Sequence, residues 1–328
     1  MMIEAAAKMA QWLRLEDGFT LIAHTSPDGD TIGSSLAMFS ILTCMGKRVQ
    51  VVCEHIVPYL YSFLPYAEAF KTPDTAEKSY QNAIAIDCAD KNRMGKAVGL
   101  FNASLLTGSI DHHKTNTAYG DYVLHDENAS ATGELVFYLW QHLGVAVEKS
   151  KTALDIACSL FTAISTDTGN FSYCNATPGS FRAAAALVEY GIDIAEINRL
   201  VYRTLPIGKT RLIGYVLSSM RLYNDARIGA AILLWEDFLR FGAIPEDVEG
   251  IIDYIRDVDS IEIAMILRQT QKGDFKVSMR SKRYADVSAI AGRFGGGGHL
   301  RAAGCTMQGQ PEDILEQLVQ VSTDALGQ

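Results

Sequence analysis

No apolar run in the 328 residues approaches the roughly 20 needed to cross a bilayer, and no basic-then-apolar leader opens the chain. Neither a membrane span nor a secretory signal is therefore expected. Positive charge is not in excess either: 29 Lys and Arg stand against 38 Asp and Glu, for a formal net charge of -9. That excludes a broad basic field for nucleic-acid backbone, so any phosphate must be recognised locally. None of the six cysteines (Cys44, Cys53, Cys88, Cys158, Cys174, Cys305) lies in a C-x-x-C pair, which removes the commonest thiolate zinc and dithiol redox arrangements. They read as reduced, mostly buried thiols of a cytoplasmic protein. Internal repeats and low-complexity tracts are missing too, and the glycine run Gly295 to Gly298 lacks the Gly-Lys-Ser/Thr ending of a P-loop, so triphosphate binding there is not indicated.

What is present begins with His24-Thr25-Ser26-Pro27-Asp28-Gly29-Asp30, one imidazole and two carboxylates on a turn directly after the apolar run Phe19 to Ala23. Asp30 and Thr31 stand where a helix cap would, ahead of a helical run from Ile32. Further strands are predicted at 48–53, 82–87 and 105–111, alternating with helical or mixed segments as a parallel sheet requires. Helical spacing covers 131–143, 151–165 and 180–190, and 193–221 is helical without a strand. The second half predicts strands at 229–235, 261–268 and 275–280, then a helix, a glycine loop and a closing helix from Pro311. The length accommodates two cores. The fold expected is α/β in two domains: an N-terminal parallel-sheet domain (1–190), a helical connector (191–225) and a smaller C-terminal α/β domain (226–328).

The strand ends carry chemistry. Asp87 ends one apolar run, Asp111-His112-His113 ends another, and Asp167 follows a helix in Ser165-Thr166-Asp167-Thr168-Gly169. All of them can converge on the carboxyl edge that holds His24, Asp28 and Asp30. One such aspartate alone is more often a turn former or a cap. The joint pattern, with two adjacent imidazoles, points to metal ligation and phosphate contact. Carboxylate and imidazole donors without thiolates suit hard or borderline divalent ions, Mn²⁺ first, with Mg²⁺, Co²⁺ or zinc as alternatives. Four carboxylates balance two divalent charges, and two ions can activate water and brace the oxygens of an in-line phosphoryl displacement.

Near the end, Gly295 to Gly298 would let backbone N–H groups approach an anion. Gly296, Gly297, Gly298, His299 and Arg301, with Lys276, Arg280, Ser281 and Lys282 on the preceding strand, supply donors for a second phosphate. Phe171 and Tyr173, after Asp167, are candidates for stacking on bases of single-stranded ends.

These motifs closely resemble the DHH phosphoesterase family, in its subfamily with a DHHA1 second domain. The resemblance rests on His24 to Asp30, Asp87, Asp111-His112-His113, Thr166-Asp167-Thr168-Gly169 and Gly295 to Gly304, in the family's order and across nearly the whole chain. It implies that His24, Asp28 and Asp87 hold one metal, that Asp30, Asp87, His112 and Asp167 hold the other, and that Asp87 bridges them. It further implies that His113 contacts the scissile phosphate, that Asp111 supports the histidine beside it, and that the glycine segment clamps the substrate's far end across a cleft between the domains. Thr31 departs from the family, which often has alanine there. Standalone members of the subfamily degrade very short RNA and remove the 3′-phosphate of adenosine 3′,5′-bisphosphate (pAp), which is the expected activity. Hydrolysis of cyclic di-AMP or pApA is the alternative, and a non-catalytic nucleotide-binding protein is the alternative of another class. The partners expected are short single-stranded RNA or a nucleotide bisphosphate, without membrane or stable duplex binding, and with a homodimer as an option.

Overall fold

Phe19-Thr20-Leu21-Ile22-Ala23 is buried at every position, as a strand covered on both faces must be. In the computed structural model, which describes residues 2–146 and 148–327, the chain divides after Arg203 into two units, each with its own sheet. The first unit runs α1 (Met2–Leu15), β1 (Phe19–Ala23), α2 (Gly29–Cys44), β2 (Val49–Val52), β3 (Phe70–Lys71), β4 (Asn82–Ile86), α3 (Val98–Ala103), β5 (Leu106–Asp111), β6 (Tyr122–His125), α4 (Thr132–Leu143), α5 (Lys151–Asp167), α6 (Pro178–Val188) and α7 (Ile194–Tyr202). Its six strands are parallel, in the order β3-β2-β1-β4-β5-β6. The order reverses between β1 and β4, and such a switch point opens a crevice at the carboxyl ends of the strands. His24 leaves β1 at that point and Asp87 leaves β4.

Alternate residues of the strands feed two cores. Leu21, Ile84 and Ile110 pack with Trp12, Met38, Ile41, Leu135, Trp140 and Leu160 on one face, while Ile22, Val52, Ala83 and Ala85 pack with Met94 and Phe101 on the other. Two glycines one helical turn apart set how closely α2 approaches α5. A Cβ on Gly29 would lie 2.3 Å from Thr166 Oγ1, and one on Gly33 would lie 2.4 Å from the Ser159 carbonyl oxygen. The start of α2 is thus pressed against the end of α5, which brings Asp28 and Asp30 to Asp167.

The second unit contains α8 (Ile207–Ser219), β7 (Arg221–Tyr223), β8 (Ile228–Leu233), α9 (Trp235–Phe241), α10 (Ile251–Arg256), β9 (Ile263–Gln269), β10 (Phe275–Ser281), α11 (Val287–Gly292), β11 (Gly297–His299), β12 (Ala302–Met307) and α12 (Pro311–Leu326). Its sheet, β11-β12-β10-β9-β8-β7, is mixed, with β8 and β9 parallel and the other pairs antiparallel. One face packs Val277 and Met279 on Ile290, Leu315 and Leu318; the other packs Leu233 and Ile266 on Leu212, Val216, Phe238 and Ile255.

The predicted fold class is the observed one, with three differences in detail. The stretch expected to be a connector is shared out, α7 going to the first unit and α8 with β7 to the second. β3, β6, β7 and β12 are not among the predicted strands: the first three are two to four residues long, too short for periodicity, and β12 opens Ala-Ala-Gly, poor strand formers that are held between β10 and β11. The expected glycine loop is a turn at Gly295 and Gly296 followed by an edge strand, β11.

Gly33→Ala places a methyl where Ser159 and Ala163 leave no room, and is expected to lower the stability of the first unit by about 1–3 kcal/mol. Gly99→Ala, in α3 with no atom within 4 Å of the new Cβ, is the control and should be neutral or stabilising by up to about 1 kcal/mol. Urea unfolding followed by circular dichroism compares the two, and equal midpoints would show that α2 and α5 do not require the small residue.

Candidate functional site

Asp28, rather than the expected Asp30 or Thr31, caps α2, because its Oδ1 accepts from the Thr31 backbone N–H at 3.1 Å and lies 3.1 Å from Thr31 Oγ1. Asp30 therefore falls in the first turn of α2. Its Oδ2 accepts from Thr132 N at 2.7 Å, and its Oδ1 from Gly133 N at 2.9 Å and Ser34 Oγ at 3.0 Å. α4 has no side-chain cap from Ala131, so Asp30 satisfies its first N–H groups from another helix.

Asp87 leaves β4 with φ of 59°, in the left-handed region, where a residue bearing a Cβ is held at a cost of about 1–3 kcal/mol. Its N–H still donates to the Ile110 carbonyl at 2.9 Å. The carboxylate, only 2% exposed, accepts from Thr31 Oγ1 at 2.6 Å and Thr132 Oγ1 at 2.9 Å. At the end of β5, Asp111 Oδ1 accepts from His113 Nδ1 at 2.7 Å and Oδ2 accepts from Asn116 Nδ2 at 2.6 Å. The histidine that Asp111 supports is thus two residues on. His112, next in sequence, donates its Nδ1–H to the Ala129 carbonyl at 3.2 Å, which leaves Nε2 as the free lone pair.

That Nε2 lies 3.6 Å from Asp167 Oδ2, 3.8 Å from Asp30 Oδ2 and 3.9 Å from Asp87 Oδ1. Across the site, His24 Nε2 lies 3.6 Å from Asp87 Oδ2 and 3.9 Å from Asp28 Oδ2, buried and without a hydrogen-bond partner. These gaps are too long for hydrogen bonds and close to the ~3–3.6 Å between two atoms that ligate one ion at ~2.1 Å. Three donor sets meet within 4.8 Å: His24, Asp28 and Asp87; Asp30, His112 and Asp167; and Asp87, His112 and His113. The orphaned His24 Nε2 and the all-oxygen-and-imidazole donors fit divalent ions. Asp167 ends α5 rather than following it, and Asn175 Nδ2 donates back to its carbonyl at 3.1 Å and lies 3.4 Å from its Oδ2.

Burial first, then the charges of Asp30 and Asp28, pushes the Asp87 carboxyl well above its usual range. Asp30 is raised by burial, then by Asp167 and Asp28, and Asp167 is raised by burial despite His112. Burial lowers His24 to about 4 against the pull of Asp28. For Asp111, burial acts upward but is outweighed by the hydrogen bond and charge of His113 with help from Asn116, so its carboxyl stays low. His113 is raised in turn, first by that hydrogen bond. One ion pair, Asp111 with His113, therefore borders a group of carboxylates that resist ionisation until cations join them.

In the second unit, Arg280 on β10 is in register with Ala302 on β12, and Ala302 with His299 on β11, so Arg280 and His299 share one rung. His299 is exposed and Arg280 half-buried. Ser281 is buried, its N–H donating to the Arg301 carbonyl at 3.1 Å. Arg301 turns inward, donating to the Ala285 carbonyl at 3.0 Å and to Ser281 Oγ at 3.4 Å. Lys282 spends its ammonium on the carbonyls of Val258 and Asp259. The glycines differ from the expected anion cradle. The N–H groups of Gly295 and Gly296 bond to the Gly292 and Ala291 carbonyls, while Cβ atoms on Gly296 and Gly298 would meet the Gly304 and Ala302 carbonyl oxygens at 2.2 and 2.5 Å. Gly296 and Gly298 serve close strand crossing, and Gly297 pairs with Gly304. Thr31, Asn116, Thr132 and Asn175 were not anticipated as partners of the site. The Thr132-Gly133-Glu134 start of a helical run signals a helix terminus, but nothing local names its acceptor.

Fold and site together define a two-domain phosphoesterase. Residues 19–164 match the DHH family N-terminal domain and residues 229–328 the DHHA1 domain, and the chain belongs to this metal-dependent family of phosphoric ester hydrolases. It is 35% identical to the bifunctional oligoribonuclease and PAP phosphatase of Thermus thermophilus over 92% of this chain and 88% of that protein. It is 24% identical to the Bacillus subtilis protein of the same name, over 92% of each. The crystal structure of an exopolyphosphatase-related protein from Bacteroides fragilis superposes with a TM-score of 0.91 at 27% identity, covering 99% of this chain and 98% of that one. No helix among the described residues is long and apolar enough to cross a membrane.

An aspartate whose folded pKa is raised opposes folding as pH climbs through its unfolded value near 3.8, and fully so above its folded value. Asp87→Asn removes that charge and keeps partners for both threonine hydroxyls. Metal-free protein carrying it is expected to be more stable than wild type at pH 7. The difference should shrink as pH falls toward 4, and added Mn²⁺ should stabilise wild type far more than the variant. Thermal melts in EDTA and in Mn²⁺ check this, and equal metal-free stabilities at pH 7 would remove the charge crowding.

Proposed function

We propose that this protein hydrolyses very short oligoribonucleotides to mononucleotides, and pAp to AMP, using two divalent ions, Mn²⁺ first. His24, Asp28 and Asp87 would hold one ion, and Asp30, Asp87, His112 and Asp167 the other. The observation that carries the reading is Asp87, whose two carboxylate oxygens face separate imidazoles, Oδ2 toward His24 and Oδ1 toward His112. When bound, such a pair of ions supplies an activated water at neutral pH and positive charge for the attacked phosphoryl group.

The chain's own residues do the remainder. Asp87 is held in one orientation by the hydroxyls of Thr31 and Thr132. His113, whose protonated form Asp111 favours, donates to a phosphate oxygen whose negative charge grows in the transition state. Asn116 keeps Asp111 ionised and aimed at His113. Arg280 and His299 take a further phosphate of the substrate, and Ser281 with Arg301 hold the end of that strand. The relatives named as oligoribonuclease and PAP phosphatase favour this substrate class. So does the net charge of -9, which gives the backbone of a long strand no net attraction.

Asp87→Ala should remove catalysis by several orders of magnitude and lower occupancy of both ions, whereas Asp167→Ala, in one donor set only, should deplete one. Elemental analysis of purified variants decides this; normal turnover with two retained ions in Asp87→Ala would overturn the shared-ligand role. Arg280→Ala or His299→Ala should leave metal content intact and reduce kcat/KM by roughly ten- to a hundred-fold, the loss of a charge-assisted hydrogen bond of about 1.5–3 kcal/mol.

Substrate choice is tested with Mn²⁺-loaded protein on pAp, cyclic di-AMP and RNAs of graded length at two salt concentrations. The highest kcat/KM is expected at about two to five nucleotides with shallow salt dependence. Rates that climb steadily with length would overturn it, and preference for cyclic di-AMP would select the alternative substrate.

A further inference from the structure

The segment from Thr168 to Asn175 leaves Asp167 and returns to it, since Asn175 donates to the Asp167 carbonyl at 3.1 Å and to the Ser130 carbonyl at 3.1 Å. Within it Gly169, Asn170 and Phe171 have φ of 55°, 55° and 61°, three consecutive left-handed residues of which two carry side chains. L-residues resist that conformation, and it persists only where surrounding bonds over-determine it. Here they do. The Thr168 carbonyl accepts from Ser172 N and Tyr173 N, both at 2.9 Å, and Thr168 Oγ1 accepts from Phe171 N at 3.0 Å. Asn170 N donates to the Ser165 carbonyl at 2.7 Å.

The turn gives its two rings different surroundings. Phe171, half-buried, packs against the buried Phe161 and the exposed Phe181, with centroids at 6.0 and 5.1 Å. Tyr173 folds back over Gly169, where a Cβ would lie 2.5 Å from its ring carbons. The residue is nevertheless 53% exposed, and no hydrogen bond among the described residues engages its hydroxyl. A tyrosine held against glycine backbone and otherwise open, two residues from the Asn175 side chain that lies on Asp167, has the form of a stacking surface.

We propose that Tyr173 is the platform on which a base of the substrate stacks while the adjoining phosphate lies at the Asp167 side of the site. This rests on the phosphoesterase reading of that site and adds its base recognition. Stacking tolerates any base, as cleavage of mixed short RNA requires, and demands an unpaired one, which disfavours duplex. Phe171, equally placed in sequence, is engaged with the core cluster and with Phe181 instead.

The test compares ApA with an analogue of the same backbone lacking both bases, on Mn²⁺-loaded wild type, Tyr173→Leu, Tyr173→Ala and Tyr173→Phe, with metal content and melting temperature measured alongside. The ratio of kcat/KM for ApA to that for the abasic analogue should fall roughly five- to a hundred-fold in the leucine and alanine variants, chiefly through KM, and recover in the phenylalanine variant. An unchanged ratio overturns the proposal, as does an equal loss on both substrates, which would mark a structural role. Should wild type cleave neither substrate, the hydrolase reading fails separately. The platform is then judged by fluorescence quenching of 2-aminopurine riboside 5′-monophosphate: loss in Tyr173→Leu with retention in Tyr173→Phe supports it, and no quenching in wild type overturns it.

Discussion

Asp30 and Asp87 are held side by side out of water, each raised by burial and by its charged neighbours. A pair of carboxylates in that position is tolerable only if they keep protons or acquire cations, and the surrounding bonds show which outcome the fold prepares. Asp30 is engaged as an anion by the first N–H groups of α4, and Asp87 by two threonine hydroxyls. The imidazoles of His24 and His112 approach without forming hydrogen bonds to the carboxylates. Of the oxygens that accept these bonds, both of Asp87 and Oδ2 of Asp30 are the same ones that face the imidazoles across gaps longer than a hydrogen bond. The left-handed backbone at Asp87 is the strain held at this point.

Positions of the site depend on how closely two helices meet. Asp28 and Asp30 belong to the start of α2 and Asp167 to the end of α5, and they become neighbours because Gly29 and Gly33 let α2 lie against Thr166, Ala163 and the Ser159 carbonyl. The parallel sheet does the rest by placing the ends of β1, β4 and β5 at one edge. Glycine at these helix positions sacrifices helix propensity for proximity, and its structural return is the gathering of ligand donors.

In the second unit the glycines act differently from a phosphate-binding loop. They are extended or turning backbone that lets β11 lie close on β12, and their early N–H groups belong to the end of α11. The polar side chains there are arranged apart from the glycines, with Arg280 and His299 on one rung and Arg301 drawn inward to the strand end.

The chain by itself determined the α/β class, the strands that end in His24, Asp87 and Asp111, and every acidic and imidazole member of the donor sets, because these residues sit at punctuated ends of apolar runs. It also carried the family's motifs in order. What only tertiary structure decided were relations between distant segments: that Asp28 caps while Asp30 serves α4, that Asp111 takes His113 and leaves His112 to Ala129, and that Thr31 and Thr132 orient Asp87. The same holds for the glycine run becoming an edge strand and for Tyr173 staying exposed where Phe171 joins the core cluster. Periodicity and spacing report which face of an element is buried. They carry no information on which hydrogen-bond acceptor another element brings to a helix terminus, and that choice is made only when the elements pack.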